Sequence, residues 1–264
     1  MIMFVISSNS HSWFFFFRMK AFLAIAVLAL VLGVASAAPN HKLTRKVQSP
    51  DANLCPVCVE FAGDALNELI NIVLNVGVIG SCGEVCGLLT NRTHSRAEGL
   101  VCDLLCDYVG ITEFIKAIEK ADLDPIYYCE LLNTCAINDN GDATIRSFTT
   151  SPVSGPQGTT FTFDLDWSTI NGTGTGEIIL VVQTVDGLQL GDSSLLEATA
   201  PGEYVKRWQV DAKPDPDCDP TQDECEEWLP GQYIVQMAIC NGECGSKHPH
   251  SMVFAQAQSS FTLV

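Results

Sequence analysis

Basic residues are scarce in this chain. Its 264 residues include 14 Lys and Arg against 31 Asp and Glu, which gives a formal net charge of −17 at pH 7. Because a surface this acidic repels phosphate, the sequence argues against nucleic acid as a partner. The same charge opposes binding to anionic membranes at neutral pH. Near pH 4.5 roughly a third of ordinary carboxylates are protonated, and this repulsion weakens.

Long apolar runs are also rare, and the one that stands out is close to the start. Ala21–Val34 follows the basic residues Arg18 and Lys20 and precedes the small residues Ala35-Ser36-Ala37. A positive segment, a short apolar core and a small-residue cleavage site are typical of a secretory signal peptide. We therefore expect a secreted, extracellular protein, with a lysosomal or vesicle lumen as the alternative.

Cysteine, in contrast, is abundant. The chain has twelve cysteines, a content that suits an oxidising compartment, and eight of them lie between Cys55 and Cys135. The inner four form two i, i+4 pairs, so two antiparallel helices would bring them face to face, and the outer four nest around them. Eight cysteines formally allow 105 connectivities, and nesting is the geometric favourite. The nested pairs are Cys55–Cys135, Cys58–Cys129, Cys82–Cys106 and Cys86–Cys102.

The same stretch has the start signals of helices. Ser81 with Glu84 and Ser95 with Glu98 have the spacing of capping boxes. Asp124-Pro125 places an N-cap residue before a proline at the first helical position. These signals predict a compact all-α unit held by disulfides.

Four features of this unit resemble a saposin B-type domain. They are the opening Cys55-Pro-Val-Cys58, the closing Cys129 and Cys135, Tyr108, and Pro125. Saposin-like domains have six cysteines paired first with last, second with fifth and third with fourth, so one bridge is extra here. Together with the β-rich second half, the chain resembles the countin family, secreted saposin-like proteins of the counting-factor complex in social amoebae.

The resemblance implies a function and partners. It implies a non-enzymatic subunit of an extracellular complex that regulates cell group size, adhesion and motility. The expected partners are other subunits of that complex or a cell-surface receptor, and no cofactor is expected. The alternative is a lipid-binding or membrane-permeabilising effector of the amoebapore type.

An apolar segment of the first long helix bears on that alternative. Residues 69–79 are apolar on nearly every side, which is typical of a buried helix or of one that contacts lipid or a second copy. Saposin-like helices can open to expose such faces. The candidate lipid-binding residues are Leu69, Ile70, Ile72, Val73, Val76 and Ile79; the simpler interpretation is that they form the core.

After Asp142 the hydrophobic period changes to two. Phe161, Phe163, Leu165 and Trp167 share one strand face. The continuous run 178–182 predicts a strand buried on both faces. About seven short strands separated by turns indicate an immunoglobulin- or fibronectin-like β-sandwich.

The second half also contains candidate metal and glycosylation sites. Local bridges Cys218–Cys225 and Cys240–Cys244 are expected there, and pairing across the two loops, such as Cys225 with Cys240, is the alternative. Glycosylation sequons begin at Asn91, where we expect a surface loop between two helices, and at Asn171, where we expect a turn. A calcium site is conceivable in an acidic loop, although such loops are usually only solvated. Its candidate ligands are Asp215, Asp217, Asp219 and Asp223.

Two further motifs favour simpler interpretations. His248-Pro249-His250 could bind a metal or sense pH, but a surface turn is the simpler prediction. Gly191-Asp192-Ser193-Ser194 faintly resembles a lipase nucleophile motif, yet a downstream D-x-x-H and an α/β pattern are missing, so we expect no enzyme activity.

These patterns predict an α + β multidomain protein, in which a disulfide-stapled, saposin-like all-α bundle precedes an all-β sandwich. The predicted parts are a signal peptide over 1–37, with Met19 as a plausible true start, a linker over 38–50, the helical domain over 51–140 and the sandwich over 142–264.

Overall fold

The structure is a computed structural model that describes residues 54–76, 79–218 and 225–264. The predicted signal peptide and linker lie outside the described residues. The first part is helical and the second consists of β-strands. The helices are α1 (Leu54–Val76), α2 (Cys82–Thr93), α3 (Arg96–Val109), α4 (Ile111–Ala121) and α5 (Pro125–Leu131).

Serine side chains cap the starts of α2 and α3. Ser81 Oγ accepts a hydrogen bond from the Glu84 amide at 3.3 Å, and Ser95 Oγ accepts one from the Glu98 amide at 3.2 Å. The return half of the first predicted box is shifted by one residue, because the Glu84 carboxylate accepts from the Gly80 amide at 2.9 Å. The two helices therefore begin where the capping signals indicate.

All twelve cysteines are paired. In the helical half the disulfides nest around the antiparallel pair α2 and α3, and each of the two bridges of the β half closes a short loop. None of them joins the two halves or the two short loops. The disulfides are Cys55–Cys135, Cys58–Cys129, Cys82–Cys106, Cys86–Cys102, Cys218–Cys225 and Cys240–Cys244.

The β half forms two sheets around one core. One sheet has the strand order β1-β3-β6 and the other β2-β8-β7-β4-β5. All pairs are antiparallel except β2 with β8, which is parallel. The strands are β1 (Thr144–Ser151), β2 (Ser154–Gly155), β3 (Thr160–Thr169), β4 (Gly176–Gln183), β5 (Gln189–Leu196), β6 (Gly202–Asp211), β7 (Gly231–Asn241) and β8 (Met252–Leu263).

Side-chain alternation builds the core between the sheets. Strand β3 contributes the aromatic face predicted from its period-two pattern, and the other sheet faces it with residues such as Tyr233 and Phe261. The prediction that 178–182 is buried on both faces is wrong. Ile178, Leu180 and Val182 are buried, whereas the intervening residues are only half-buried, because among the described residues no further layer covers the outer face of this sheet.

Two tyrosines near the starts of strands donate hydrogen bonds to the loops that precede those strands. Each lies in a Pro-Gly-x-Tyr sequence, at 201–204 and 230–233. Tyr204 Oη donates to the Ala200 carbonyl at 2.6 Å, and Tyr233 Oη donates to the Leu229 carbonyl at 2.9 Å. Both sequences therefore make the bond to upstream backbone that is typical of a tyrosine corner.

Within the described ranges, no helix combines the length and the apolar character needed to cross a bilayer.

Candidate functional site

The loop between β7 and β8, residues 242–251, packs against the start of α5. Ser246 Oγ donates a hydrogen bond to Asp124 Oδ2 at 2.6 Å. The rings of Tyr127 and His248 stack with centroids 4.4 Å apart and an interplanar angle of 10°. The Cys240–Cys244 bridge constrains the start of this loop and thereby helps to hold the loop in the conformation that contacts α5.

A second set of contacts joins the segment after α5 to the turn before β4. The Thr175 amide donates to the Ala136 carbonyl at 2.8 Å, and the Ala136 amide donates to Thr175 Oγ1 at 3.2 Å. Gly174 is required at this point, since a Cβ there would lie 2.6 Å from Asn241 Oδ1 and 2.7 Å from the Asn138 nitrogen. The helical half and the sandwich therefore share a backbone-to-backbone interface.

Three carboxyl groups converge at this interface. Asp124 comes from the N-cap of α5, Glu177 from β4, and Glu243 from the loop after β7. Asp124 is buried, and it accepts from the Tyr127 amide at 2.8 Å in addition to Ser246. Burial, together with the nearby carboxyl groups of Asp124 and Glu177, raises the pKa of Glu243 to about 7. Burial also raises the pKa of Glu177.

A fourth carboxyl group, Glu130, is buried on α5. Its Oε1 makes no hydrogen bond, and burial raises its pKa to about 7, an effect that His250 partly offsets. His250 Nδ1 lies 2.6 Å from Asp139 Oδ1. The expectation that His248 and His250 form only a surface turn is therefore incomplete, because each ring contacts the helical half.

An exposed apolar stripe runs along α3. Leu100, Leu104 and Tyr108 are 71%, 51% and 51% exposed, and their i, i+4, i+8 spacing places them on one helix face. We call these three residues the α3 ridge. Asp103 and Asp107 lie along one side of it. Large apolar side chains this exposed, in a row, are typical of a surface that contacts another molecule.

The candidate lipid-binding segment of α1 is mostly core. Leu69 and Ile72 are fully buried, and the residues that pack partly exposed against the same core are Ile70, Val73 and Ile79. Val76 is exposed. The described residues of segment 69–79 therefore do not present one continuous apolar surface.

The sequons and the acidic loop are placed as follows. Asn91 is exposed in the last turn of α2, not in a loop as expected, and Asn171 is exposed in a bend after β3. In the acidic loop the Asp217 amide donates to Asp215 Oδ1 at 3.0 Å. Asp219 and Asp223 lie outside the described residues, so the calcium site stays a prediction. Elsewhere in the described chain, no group of three or more His, Cys, Asp or Glu side chains is placed to hold a metal.

The lipase-like tetrapeptide 191–194 lies inside strand β5. It pairs along its whole length with β4, and Ser194 Oγ contacts the Ile178 carbonyl at 3.4 Å. A nucleophile elbow instead places its serine on a sharp turn between a strand and a helix.

Comparison with known proteins covers both halves of the chain. The family model for the countin N-terminal domain matches residues 53–133, and that for the countin C-terminal domain matches residues 143–264. The chain belongs to the countin family.

Relatives in Dictyostelium discoideum align with most of this countin. Countin-1 is 39% identical over 209 residues, which is 79% of this chain and 77% of the relative. Countin-3 is 38% identical over 222 residues, or 84% of this chain and 94% of the relative. Among solved structures, the C-terminal domain of wzt covers 49% of this chain and 78% of its own length, at 12% identity and a TM-score of 0.34.

The interface of this countin was not predicted from its sequence. Asp124 and Ser246 are 122 residues apart, and no local pattern connects them. The one available signal was the pair of histidines, His248 and His250, in the loop that follows the Cys240–Cys244 bridge. The α3 ridge was detectable, since Leu100, Leu104 and Tyr108 recur at helical spacing beside the cysteines that define the buried face.

Proposed function

We propose that this countin is a secreted, non-enzymatic subunit of an extracellular complex that regulates cell group size, adhesion and motility. The observation that carries the proposal is that both countin domain families match, in order, along one chain. The helical half then acts as a saposin B-type domain, in support of which four nested bridges surround a helical hairpin. The sandwich acts as an immunoglobulin-like domain, supported by its two facing sheets and tyrosine corners.

The α3 ridge is the surface by which this subunit docks in the complex. The net charge of −17 supplies only electrostatic attraction to a partner. Binding to another secreted protein that does not rely on charge alone therefore needs an apolar contact. Asp103 and Asp107 beside the ridge favour a partner whose apolar surface is edged by Lys or Arg. The occupant of the ridge is therefore another subunit with that chemistry.

A double substitution tests the docking surface. We expect wild-type protein to migrate in high-mass native fractions and to change group size without lysis when added to developing cells. L100S/L104S removes the apolar side chains from the ridge, so we expect this variant to move to the monomer fractions and to lose its effect on group size. The measurement is native fractionation of secreted material, followed by identification of what migrates with the protein.

The matched control is Val205→Ser. Val205 is also strongly exposed, but it lies on β6 in the sandwich, so V205S should still assemble. If L100S/L104S assembles like wild type, the ridge is not the docking surface. If the wild-type protein itself migrates as a monomer and leaves group size unchanged, the proposed function is wrong.

The membrane-active alternative requires the helical half to change its conformation. Leu69 and Ile72 are fully buried, so the helical half would have to open before these residues met lipid. Their burial supports the core interpretation of the α1 segment, and vesicle experiments separate the two functions, as described below.

A further inference from the structure

The outer face of the five-stranded sheet carries an uncharged groove across β4, β7 and β8. The strand registers place Val181 beside Gln236 and Gln236 beside Gln258 in one row. In the next row Ile179 lies beside Ala238, which lies beside Gln256. We call this surface the neutral face, and it consists of Ile179, Val181, Gln236, Ala238, Gln256 and Gln258. On β5, Gly191 and Ser193 extend the same two rows without adding a charge.

The outer face of the other sheet shows that this neutrality is not general. There Arg146 pairs with Asp166 at 2.7 Å, and Arg207 pairs with Asp164 at 2.6 Å. The whole chain has 31 acidic residues and a net charge of −17. The neutral face therefore differs in chemistry from the comparable surface on the opposite side of the same sandwich.

The polar groups of the neutral face are open to a ligand. The side chains of Gln236, Gln256 and Gln258 make no hydrogen bond to the described part of the chain, and all three are exposed. Between them Ile179 and Val181 form a half-buried aliphatic floor. The groove above this floor has a volume of about 400 Å³. That volume lies within the range of about 300–1,000 Å³ that is typical of small-ligand sites.

The size of the surface argues against a second copy of this chain as its occupant. Strands lie about 4.8 Å apart and rise about 3.4 Å per residue, so the uncharged surface across four strands measures about 19 Å by 17 Å. This is about 300 Å² per molecule, whereas a stable protein interface needs about 800 Å² from each partner. The neutral face also lacks the aromatic and Arg side chains that are enriched in the centre of protein interfaces.

The chemistry of the groove favours a neutral ligand rich in hydroxyl groups. Each Gln amide offers both hydrogen-bond donors and an acceptor, which matches a hydroxyl group that can donate and accept. An anionic ligand is repelled by the acidic surroundings, and a cationic ligand finds no carboxylate in the groove. The aliphatic floor suits the C–H face of a sugar ring, because apolar contact there needs no polar partner.

We propose that the neutral face is a binding site for a neutral polysaccharide, whose chain lies in the groove across β4, β7 and β8. Amides of Gln236, Gln256 and Gln258 bond to its hydroxyl groups, and the sugar rings pack on Ile179 and Val181. This site is separate from the α3 ridge and does not depend on the proposed function.

Native electrophoresis of the full-length secreted protein tests the site. The gels contain soluble galactomannan, mannan or β-glucan, and each mobility is compared with that in a gel without polysaccharide. We expect at least one of these neutral polymers to slow the wild-type protein. Alginate, an anionic polysaccharide, should not slow it, since the negative charges of protein and polymer repel each other.

Two isosteric substitutions place a carboxylate in the groove. Q236E and Q258E each lose the amide donor and add a charge that the ligand cannot compensate, so each should weaken binding on the order of tenfold. The matched control is Q209E, which adds the same charge to the exposed outer face of β6 and should bind like wild type. Circular dichroism checks that all three variants fold.

Three results would overturn the site. The first is that none of the three neutral polymers slows the wild-type protein, and the second is that alginate slows it equally. The third is that folded Q236E and Q258E are slowed as much as wild type. If sedimentation instead shows a dimer that Q236E converts to a monomer, the occupant is a second copy and the proposal is wrong. L100S/L104S should bind polysaccharide like wild type, so this site and the proposed function fail independently.

Discussion

The two tyrosine corners use one sequence pattern in two environments. Tyr233 is buried, stacks on Phe261, and lies 3.2 Å from the Glu226 carboxylate as well as bonding to Leu229. Tyr204 is only partly buried, and its hydroxyl bond is open to water. The contributions of the two hydroxyls to the free energy of unfolding should differ accordingly, because a backbone carbonyl left without a partner is costly only where water does not reach it.

We predict that Y233F lowers the free energy of unfolding by about 1–3 kcal/mol and Y204F by about 0.5 kcal/mol. Both substitutions remove one oxygen and leave the ring packing unchanged. The measurement is equilibrium unfolding in urea with the disulfides intact. Equal losses, or a larger loss for Y204F, would show that burial does not decide the value of these corners.

At the scale of the element, α1 combines core and surface within one turn. Ile72 is fully buried, and Leu74, two residues later, is 75% exposed. The segment looked apolar on nearly every side, so its sequence alone did not reveal which residues face the core. The fold separates them, because α2, α3, α4 and α5 all pack against α1 and, among the described residues, leave one side of its last turns exposed.

We predict opposite outcomes for aspartate at these two positions. I72D places an unpaired charge in the core and should cost several kcal/mol, enough to abolish a cooperative transition of the helical half. L74D should shift the free energy of unfolding by less than about 0.5 kcal/mol. Circular dichroism during thermal unfolding measures both. If I72D folds normally, Ile72 is not core, and the opening of the helices needs little energy.

At the scale of the whole molecule, acidity opposes contact with anionic membranes at neutral pH. Both halves are negative: residues 51–140 have 14 acids and 4 Lys or Arg, and residues 141–264 have 17 and 5. Repulsion from anionic lipid at neutral pH extends over a Debye length of roughly 8 Å at physiological salt. Protonation near pH 4.5 neutralises roughly a third of the carboxylates and lets exposed apolar residues approach the lipid.

We predict that the full chain co-sediments with vesicles of phosphatidylcholine and phosphatidylserine at pH 4.5 but not at pH 7, and that it causes no dye leakage at either pH. Pure phosphatidylcholine vesicles are the control and should show a smaller effect of pH, since they lack the opposing charge. Leakage at pH 4.5 would favour the membrane-permeabilising alternative over the signalling subunit. An absence of binding at both pH values would mean that the apolar residues serve only protein contacts.

Much of the architecture was predictable because local rules determine it. Ser81, Ser95 and Asp124 mark helix starts, and the alternation through Phe161 and Trp167 marks a sandwich strand. The interface was not predictable, because hydrogen bonds such as Ser246 to Asp124 depend on how two separately patterned halves meet. The half-buried outer face of β4 was not predicted for a related reason. A run of β-branched residues does not indicate whether both faces of the strand are covered by another layer of the structure.

The outermost bridge has a mechanical consequence. Cys55 and Cys135 lie at the two ends of the helical half, with Cα atoms 4.6 Å apart. Tension applied between the N-terminal side of Cys55 and the end of the chain therefore passes through the sulfur atoms and not through α1 to α5. Under such a pull the sandwich can lengthen by roughly 3.3–3.6 Å for each residue released, whereas the helical half contributes almost nothing until the bridge is reduced. If both ends of the protein were held under tension, the β half would unfold first, and the helices that carry the α3 ridge would stay folded.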